Sequence, residues 1–308
     1  MTFVYKADPA RAQAWAALFK RHLPQLPFHV WPDVGDPRHV RFLAAWLPPP
    51  DLARALPGLE VLFSVGAGVD QLTLAELPPQ IKVVRMIEPA LVASMTEYVS
   101  FAVLALHRDM PLYLAQQREC AWREHRVRPP GASRVGVMGM GLLGTATLAQ
   151  LRVLGFDCAG WNRSRRDEPG VQSYCGEARL PDFLARTDIL VCLLPLTDGT
   201  RGILNRRLFA ALPRGAAVIN VGRGGHLVEH ELIDALDNDH LRAAVLDVCA
   251  TEPLPASHSL WSHPKVWLTP HIASTTQPES AVEAVLANLG RYARGEPLHG
   301  LVSRSRGY

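Results

Sequence analysis

The sequence predicts an α/β fold of two doubly wound parallel-sheet domains, and three observations carry the prediction. Short, nearly all-apolar runs such as "DILVCLL" and "AAVINV" alternate with stretches of helical periodicity, the pattern of parallel strands covered by helices on both faces. The alternation runs twice, and the Pro/Gly-rich "RPPGAS" separates the two series. At 308 residues the chain is long enough for each series to bury its own core.

In the first series "TFVY" reads as a strand and "RAQAWAALFKRHL" as a helix; "FHVW", "RFLAAWL", "LEVLFSVG" and "KVVRMI" read as further strands. A helix from about Pro89 to Arg108 follows, then a basic, less periodic stretch up to "RPPGAS". The second series opens with the strand "RVGVMG" and the helix "LLGTATLAQLRVLG". Leu148, Leu151 and Leu154 share one face of that helix, and Gly155 stops it. The strands "DCAGW", "DILVCLL", "AAVINV", "AAVLDV" and "KVWLT" come next, with helices expected over "LPDFLART", "TRGILNRRLFAAL" and "VEHELIDALDN". No solenoid-period repeat or low-complexity tract is present.

A formal charge of +3 is too small and dispersed to imply a nucleic-acid partner. The apolar stretch Ala90 to Leu106 is interrupted by Glu97, so it reads as a buried helix and no membrane partner is expected. The five cysteines form no CxxC pair and no zinc-like spacing; they read as reduced and structural, with no metal site. With an N-terminus that lacks a signal-peptide pattern, this points to the cytoplasm.

Between the strand "RVGVMG" and its helix stands "GMGLLG". A lone G-x-G-x-x-G is weak, but this one closes a strand, opens a helix and is followed by a strand at βαβ distance. Gly139 permits the tight turn, Gly141 the approach of a pyrophosphate, and Gly144 close helix–strand packing. Leu142 and Leu143 open the helix, whose N-terminus offers N–H groups to the phosphates. At the end of the next strand, where NAD-binding proteins carry an acid for the ribose 2′-hydroxyl, this chain has Trp161 and Asn162, then Arg163, Ser164, Arg165 and Arg166. Amide, hydroxyl and guanidinium donors suit a 2′-phosphate, so NADP(H) is expected in preference to NADH. Arg163 is the first candidate contact, Arg166 the second, and Arg165 is expected to face solvent.

Three later segments narrow the chemistry. "NVGRGG", "LDVCATEP" and "LTPHIAS" each follow a buried strand, which puts Arg223, Asp247, Glu252 and His271 beyond the C-terminal ends of consecutive strands. Hydride transfer to a ketone needs an acid for the developing alkoxide, and His has a suitable range. A carboxylate such as Glu252 stabilises the imidazolium, and Arg223 polarises the carbonyl. Taken singly, each residue has an ordinary structural reading, as a core histidine, a loop cap or a turn former.

Together "SVGAGVD", "MTEYV", "GMGLLG", "LLPLT", "NVGRGG", "LDVCATEP" and "TPHIAS" resemble the D-2-hydroxyacid dehydrogenases over nearly the whole chain. The resemblance implies a Rossmann cofactor domain, residues 100–271, and a smaller flavodoxin-like substrate domain, residues 1–99 and 272–308, with a cleft between. It implies that Arg223, Glu252 and His271 are catalytic, and that Asp247 binds the nicotinamide carboxamide. Leu194 and Pro195 in "LLPLT" would join the cofactor site, and the backbone of Ala67 and Gly68 would take the substrate carboxylate. "AWLPPP" with Trp46 near the substrate, "NRSRR" and "SRSRGY" resemble the branch that reduces glyoxylate and hydroxypyruvate with NADPH. The implied partners are a small 2-keto acid and, through the helix at 89–108 and the segment after it, a second copy in a homodimer. A phosphoglycerate or D-lactate type of dehydrogenase stands as the alternative. A dinucleotide-sensing, corepressor-like binding protein is a third reading, against which the lack of a basic arm weighs.

Overall fold

The computed structural model describes residues 1–308. The chain divides into two compact units, Met1–Leu91 with Thr275–Tyr308, and Val92–Ser274.

The first unit contains β1 (Thr2–Lys6), α1 (Pro9–His22), β2 (Phe28–Val30), β3 (Val40–Ala45), a short α2 (Leu52–Ala55), β4 (Val61–Ser64) and β5 (Lys82–Val84). The five strands are all parallel, in the order β2-β1-β3-β4-β5. Asp8 starts α1 by accepting the Ala10 N–H at 2.9 Å, with Pro9 at the first helical position, where no donor is lost. Trp15 and Phe19 of α1 are buried against Phe3 of β1.

The second unit begins inside α3 (Pro89–His107) and continues with α4 (Met110–Arg118), β6 (Arg134–Met138), α5 (Leu142–Val153), β7 (Asp157–Asn162), β8 (Gln172–Cys175), α6 (Leu180–Ala185) and β9 (Ile189–Cys192). It is completed by α7 (Arg206–Ala211), β10 (Ala216–Asn220), α8 (Glu229–Asp237), β11 (Leu241–Leu246) and β12 (Val266–Leu268). Its seven parallel strands run β12-β11-β10-β9-β6-β7-β8. The chain therefore winds outward from β6 through β7 and β8, returns to the other side of β6, and winds outward again from β9. Ligands of open α/β sheets bind at the C-terminal ends of the strands flanking such a reversal. At the opposite end Arg134 and Asp188 pair at 2.7 Å. Burial raises the Asp188 carboxyl, but the bonds from Arg134 outweigh it and hold the group below its ordinary range.

Helix α9 (Pro278–Ala293) and the tail after it return the chain to the first unit. Helix α9 lies against α1, Leu301 makes an antiparallel bridge to Val84, and the Arg304 guanidinium donates to the carbonyls of Leu74, Leu77, Pro78 and Ile81.

Several expectations are corrected. The units divide at Leu91 and Ser274, not at residues 99 and 271, because Met95, Val99, Ala102, Val103 and Leu106 of α3 and also Ala273 are buried with Val135, Val137, Leu148 and Leu151 of the second unit. The helix expected over "TRGILNRRLFAAL" is confined to Arg206–Ala211: Asn205 caps it by accepting the Leu208 N–H at 3.1 Å, and Leu204 instead bridges to Leu227. The basic stretch holds α4, while β8 and α9 are elements the periodicity did not reveal. All five cysteines are free thiols, but Cys120 and Cys175 are exposed and only Cys158 and Cys192 are fully buried.

Helix α3 is long and apolar enough by composition to cross a membrane.

Candidate active site

The glycine turn joins β6 to α5. Gly139 has φ +103°, and a Cβ there would lie 2.6 Å from the Leu193 carbonyl oxygen. A Cβ on Gly144 would lie 1.8 Å from the oxygen of Gly139, so α5 packs onto the turn at a separation that only a hydrogen permits. At Gly141, by contrast, a Cβ would meet nothing within 4 Å; this backbone faces open space. No side chain caps α5, and the N–H groups of its first turn, Leu142 and Leu143 included, have no intrahelical acceptor. Leu194, after β9, lies against the same turn, its nitrogen 3.1 Å from the Gly139 Cβ position, and the Pro195 carbonyl accepts the Thr200 hydroxyl at 2.7 Å. Open space, free donors and a helix N-terminus fit a pyrophosphate.

The residues that end β7 and follow it divide into two groups. Trp161 is buried and its indole N–H donates to Gly176 at 2.9 Å. The Asn162 amide nitrogen is engaged within its own loop, donating to the carbonyl (2.9 Å) and hydroxyl (3.3 Å) oxygens of Ser164. Arg165 pairs with Asp167 at 3.0 Å and is 82% exposed. Arg166 reaches back and donates to the Met140 carbonyl at 2.9 Å, which brings its guanidinium to the glycine turn. Arg163 is exposed, and its carbonyl accepts from the Cys175 thiol.

The loops bearing the candidate catalytic residues emerge side by side, because β10, β11 and β12 are neighbours in one parallel sheet. After β10, the Arg223 N–H donates to Nδ1 of fully buried His226 at 3.0 Å, and its carbonyl accepts from the Asn220 amide at 3.0 Å. The Arg223 guanidinium gives one N–H to Gly222 at 2.8 Å. Gly224 then passes so close to the next loop that a Cβ would lie 1.8 Å from the Cys249 oxygen. In that loop Glu252 accepts the Cys249 N–H on Oε1 at 3.0 Å and faces His271 Nδ1 with Oε2 at 2.7 Å. A carboxylate only accepts, so Nδ1 carries the proton and Nε2 is the nitrogen left for a substrate oxygen.

His271 sits in the left-handed region at φ +56°. Its N–H is shared between the carbonyls of Asp247 (2.9 Å) and Thr269 (3.0 Å). The Asp247 carboxylate, only 2% exposed, closes the turn. It accepts the Thr269 hydroxyl at 2.6 Å and the N–H groups of Ile272 and Ala273 at 2.8 Å each. Since Thr269 donates to Asp247, the Tyr98 hydroxyl donates to Thr269, at 2.5 Å. Burial pushes the Tyr98 phenol up, which keeps it a donor. Asp247 thus spends three of its roughly four acceptor positions on the turn that presents His271, and about one remains for a carboxamide.

In the first unit, the turn after β4 has its acceptors occupied: the Gly66, Gly68 and Val65 carbonyls accept from the Met86 N–H, the Ser64 hydroxyl and the Thr276 hydroxyl. The N–H groups of Ala67 and Gly68 make no hydrogen bond within the chain. The Trp46 ring, 41% exposed, lies over this turn, 3.0 Å from the Cβ position of Gly66.

The sequence profile of the D-isomer specific 2-hydroxyacid dehydrogenase NAD binding domain matches residues 100–273. The chain belongs to the D-2-hydroxyacid dehydrogenase family. Glyoxylate/hydroxypyruvate reductase A of Yersinia enterocolitica is 36% identical to it, over the full length of both chains. A D-isomer specific 2-hydroxyacid dehydrogenase of Xanthobacter autotrophicus, solved with NADPH and MES, superposes with a TM-score of 0.95 at 38% identity, covering 100% of this chain and 99% of the other. The NADPH-dependent glyoxylate/hydroxypyruvate reductase of Sinorhizobium meliloti, solved with NADP and sulfate, gives 0.92 at 35% identity, over 100% of each chain.

Three features of this dehydrogenase escaped sequence reasoning: Tyr98 and Thr269, which close the chain of bonds to Asp247; His226, which holds Arg223; and Glu229, which accepts the Ala250 N–H at 3.0 Å. Only Glu229 had a local signal, as an acid in the first turn of α8. Beside these groups burial, with Glu229, Glu252 and Asp247 around it, pushes the Cys249 thiol up to about 11, so the dehydrogenase keeps this thiol neutral.

Proposed function

We propose that the protein is an NADPH-dependent 2-keto acid reductase that converts glyoxylate to glycolate and hydroxypyruvate to D-glycerate. The carrying observation is the Glu252–His271 pair at 2.7 Å, on the same sheet edge as the glycine turn. The curated relatives and the solved structures that carry NADPH or NADP support the substrate and cofactor. Bound NADPH supplies the hydride. As charge gathers on the carbonyl oxygen, His271 gives it the Nε2 proton, while Glu252 keeps the Nδ1 proton and stabilises the imidazolium beforehand. The Arg223 guanidinium polarises the carbonyl. For the carboxylate of a 2-keto acid, the unengaged N–H groups of Ala67 and Gly68 are a suitable donor pair, with the Trp46 ring as an apolar neighbour.

The deciding assay follows oxidation of NADPH and of NADH with each keto acid. Turnover favouring NADPH is expected; no turnover with any pair overturns the reading. Arg163 and Arg166 are the proposed contacts of the 2′-phosphate. Replacing both by Ala is expected to lower the NADPH-over-NADH preference about 10–100-fold, the worth of one or two charge-assisted bonds, with kcat on NADH unchanged. An unaltered preference would mean that neither guanidinium meets the phosphate.

We further propose a homodimer through α3 and α4. Phe101 is 60% exposed, and with Leu104, Met110 and Tyr113 it lines a cavity of about 490 Å³, an apolar patch that a monomer would leave in water. Sedimentation is expected to give twice the chain mass; a monomer refutes the interface. Five free thiols suit the reducing cytoplasm.

A further inference from the structure

We propose that Glu229 is a positioning residue for the Glu252–His271 pair, a reading that rests on the proposed reductase chemistry. The loop at 249–253, which carries Glu252, presents two consecutive N–H groups. Glu252 accepts that of Cys249 and Glu229 accepts that of Ala250, each at 3.0 Å. The second Glu229 oxygen faces Nε2 of His258 at 3.3 Å. His258 Nδ1 accepts the Leu260 N–H, so its proton resides on Nε2 and is given to Glu229. The two His–carboxylate pairs therefore hold opposite tautomers. Glu252–His271 leaves a nitrogen for chemistry, whereas Glu229–His258 engages both nitrogens and is a fastening.

Position explains what is fastened. Glu229 opens α8, directly after the Arg223 loop, so its carboxylate ties the segment bearing Arg223 to the segment bearing Glu252. The two segments already meet where Gly224 passes the Cys249 carbonyl. The Glu229 side chain is 17% exposed, against 38% for both Glu252 and His271, so it lies behind the reacting pair. It does not serve its own helix as an N-cap, a position held by Val228. Without Glu229 the Ala250 N–H has no acceptor, and the backbone leading to Glu252 can turn away. The titratable groups gathered at this corner are Glu229, His258, Cys249, Asp247, Glu252 and His271.

The test separates reach from charge. Glu229→Gln keeps an oxygen for the Ala250 N–H but removes the charge and the acceptor that faces His258 Nε2; Glu229→Asp keeps the charge and withdraws the oxygens by one methylene. Two readouts are taken on the full-length chain: the neutral tautomer of His271 from imidazole ¹⁵N shifts, assigned with His271→Asn, and kcat and KM with NADPH and glyoxylate. Wild type is expected to show the Nδ1–H tautomer. Glu229→Asp should lose that preference and lose about tenfold in kcat at unchanged KM for NADPH, while Glu229→Gln should stay within about twofold of wild type. A general charge effect would reverse the order of the two variants, and a merely structural role would lower Tm with the tautomer intact; either result overturns the proposal. The tautomer is read without turnover, so a wild type inactive on keto acids would sink the reductase reading while this assignment was still decided by the spectra.

Discussion

His271→Asn is expected to lower kcat for glyoxylate reduction about 10²–10⁴-fold, the usual contribution of a positioned general acid, with little change in KM for NADPH. Asn tolerates the left-handed backbone at this position, so the turn through Thr269, Asp247 and Ala273 survives and the loss reports the missing proton donor. Glu252→Gln is expected to cost less, because its one amide oxygen can still accept the Nδ1 proton, while the charge that stabilises the imidazolium and the acceptor for the Cys249 N–H are lost. Combining the two should add little to His271→Asn alone, since Glu252 acts through His271 and residues that work as a unit are not additive. Steady-state kinetics of the three variants check this. Wild-type kcat in His271→Asn would remove His271 from the chemistry, and a double variant far below the single one would give Glu252 an independent role.

Gly144→Ala carries the largest expected effect on stability. The new Cβ would lie 1.8 Å from the Gly139 oxygen, a backbone atom that no rotamer change can move. Helix α5 must back away from β6, and Leu148 and Leu151, both fully buried, lose their packing. Overpacking of this kind costs about 3 kcal/mol or more, which for a domain of this size lowers Tm by about 6–12 °C. Gly141→Ala is the control, because its Cβ has room. It should melt like wild type but bind NADPH more weakly, since the methyl group fills the space where a pyrophosphate approaches. Calorimetry and cofactor titration separate the two. If Gly141→Ala melts as low as Gly144→Ala, the division between a packing glycine and a binding glycine fails.

Legibility in the sequence tracks how local each feature is. Strands such as β9 and β10, buried on both faces, write continuous apolar runs. The edge strand β8, with one buried residue among four, leaves no such trace. In α9 the buried Ala281, Val282, Val285 and Leu289 keep helical spacing, yet they fall after the last strand, where an alternating series gives no reason to seek another helix. Glu252 and His271 were visible because each follows a strand end within a few residues. The groups that hold them were not, because Tyr98 meets Thr269 across 171 positions and Glu229 meets Ala250 across 21. Such pairings exist only once the sheet has brought the loops together. The arginine run was legible as charge, but its division between Arg165 on Asp167 and Arg166 on Met140 depends on how the loop folds back.

The order in which the chain is made has a consequence for its first unit. Strands β1 to β5 leave the ribosome early, yet the helix that covers α1, the Leu301 bridge to Val84 and the arginine that gathers four carbonyls at residues 74–81 all lie beyond residue 278. Domains generally fold in the order of synthesis, and here that order is inverted. The unit interrupted at Leu91 must wait, the α9-facing side of α1 uncovered, while Val92–Ser274 is translated and folds. The first domain begun is the last one closed.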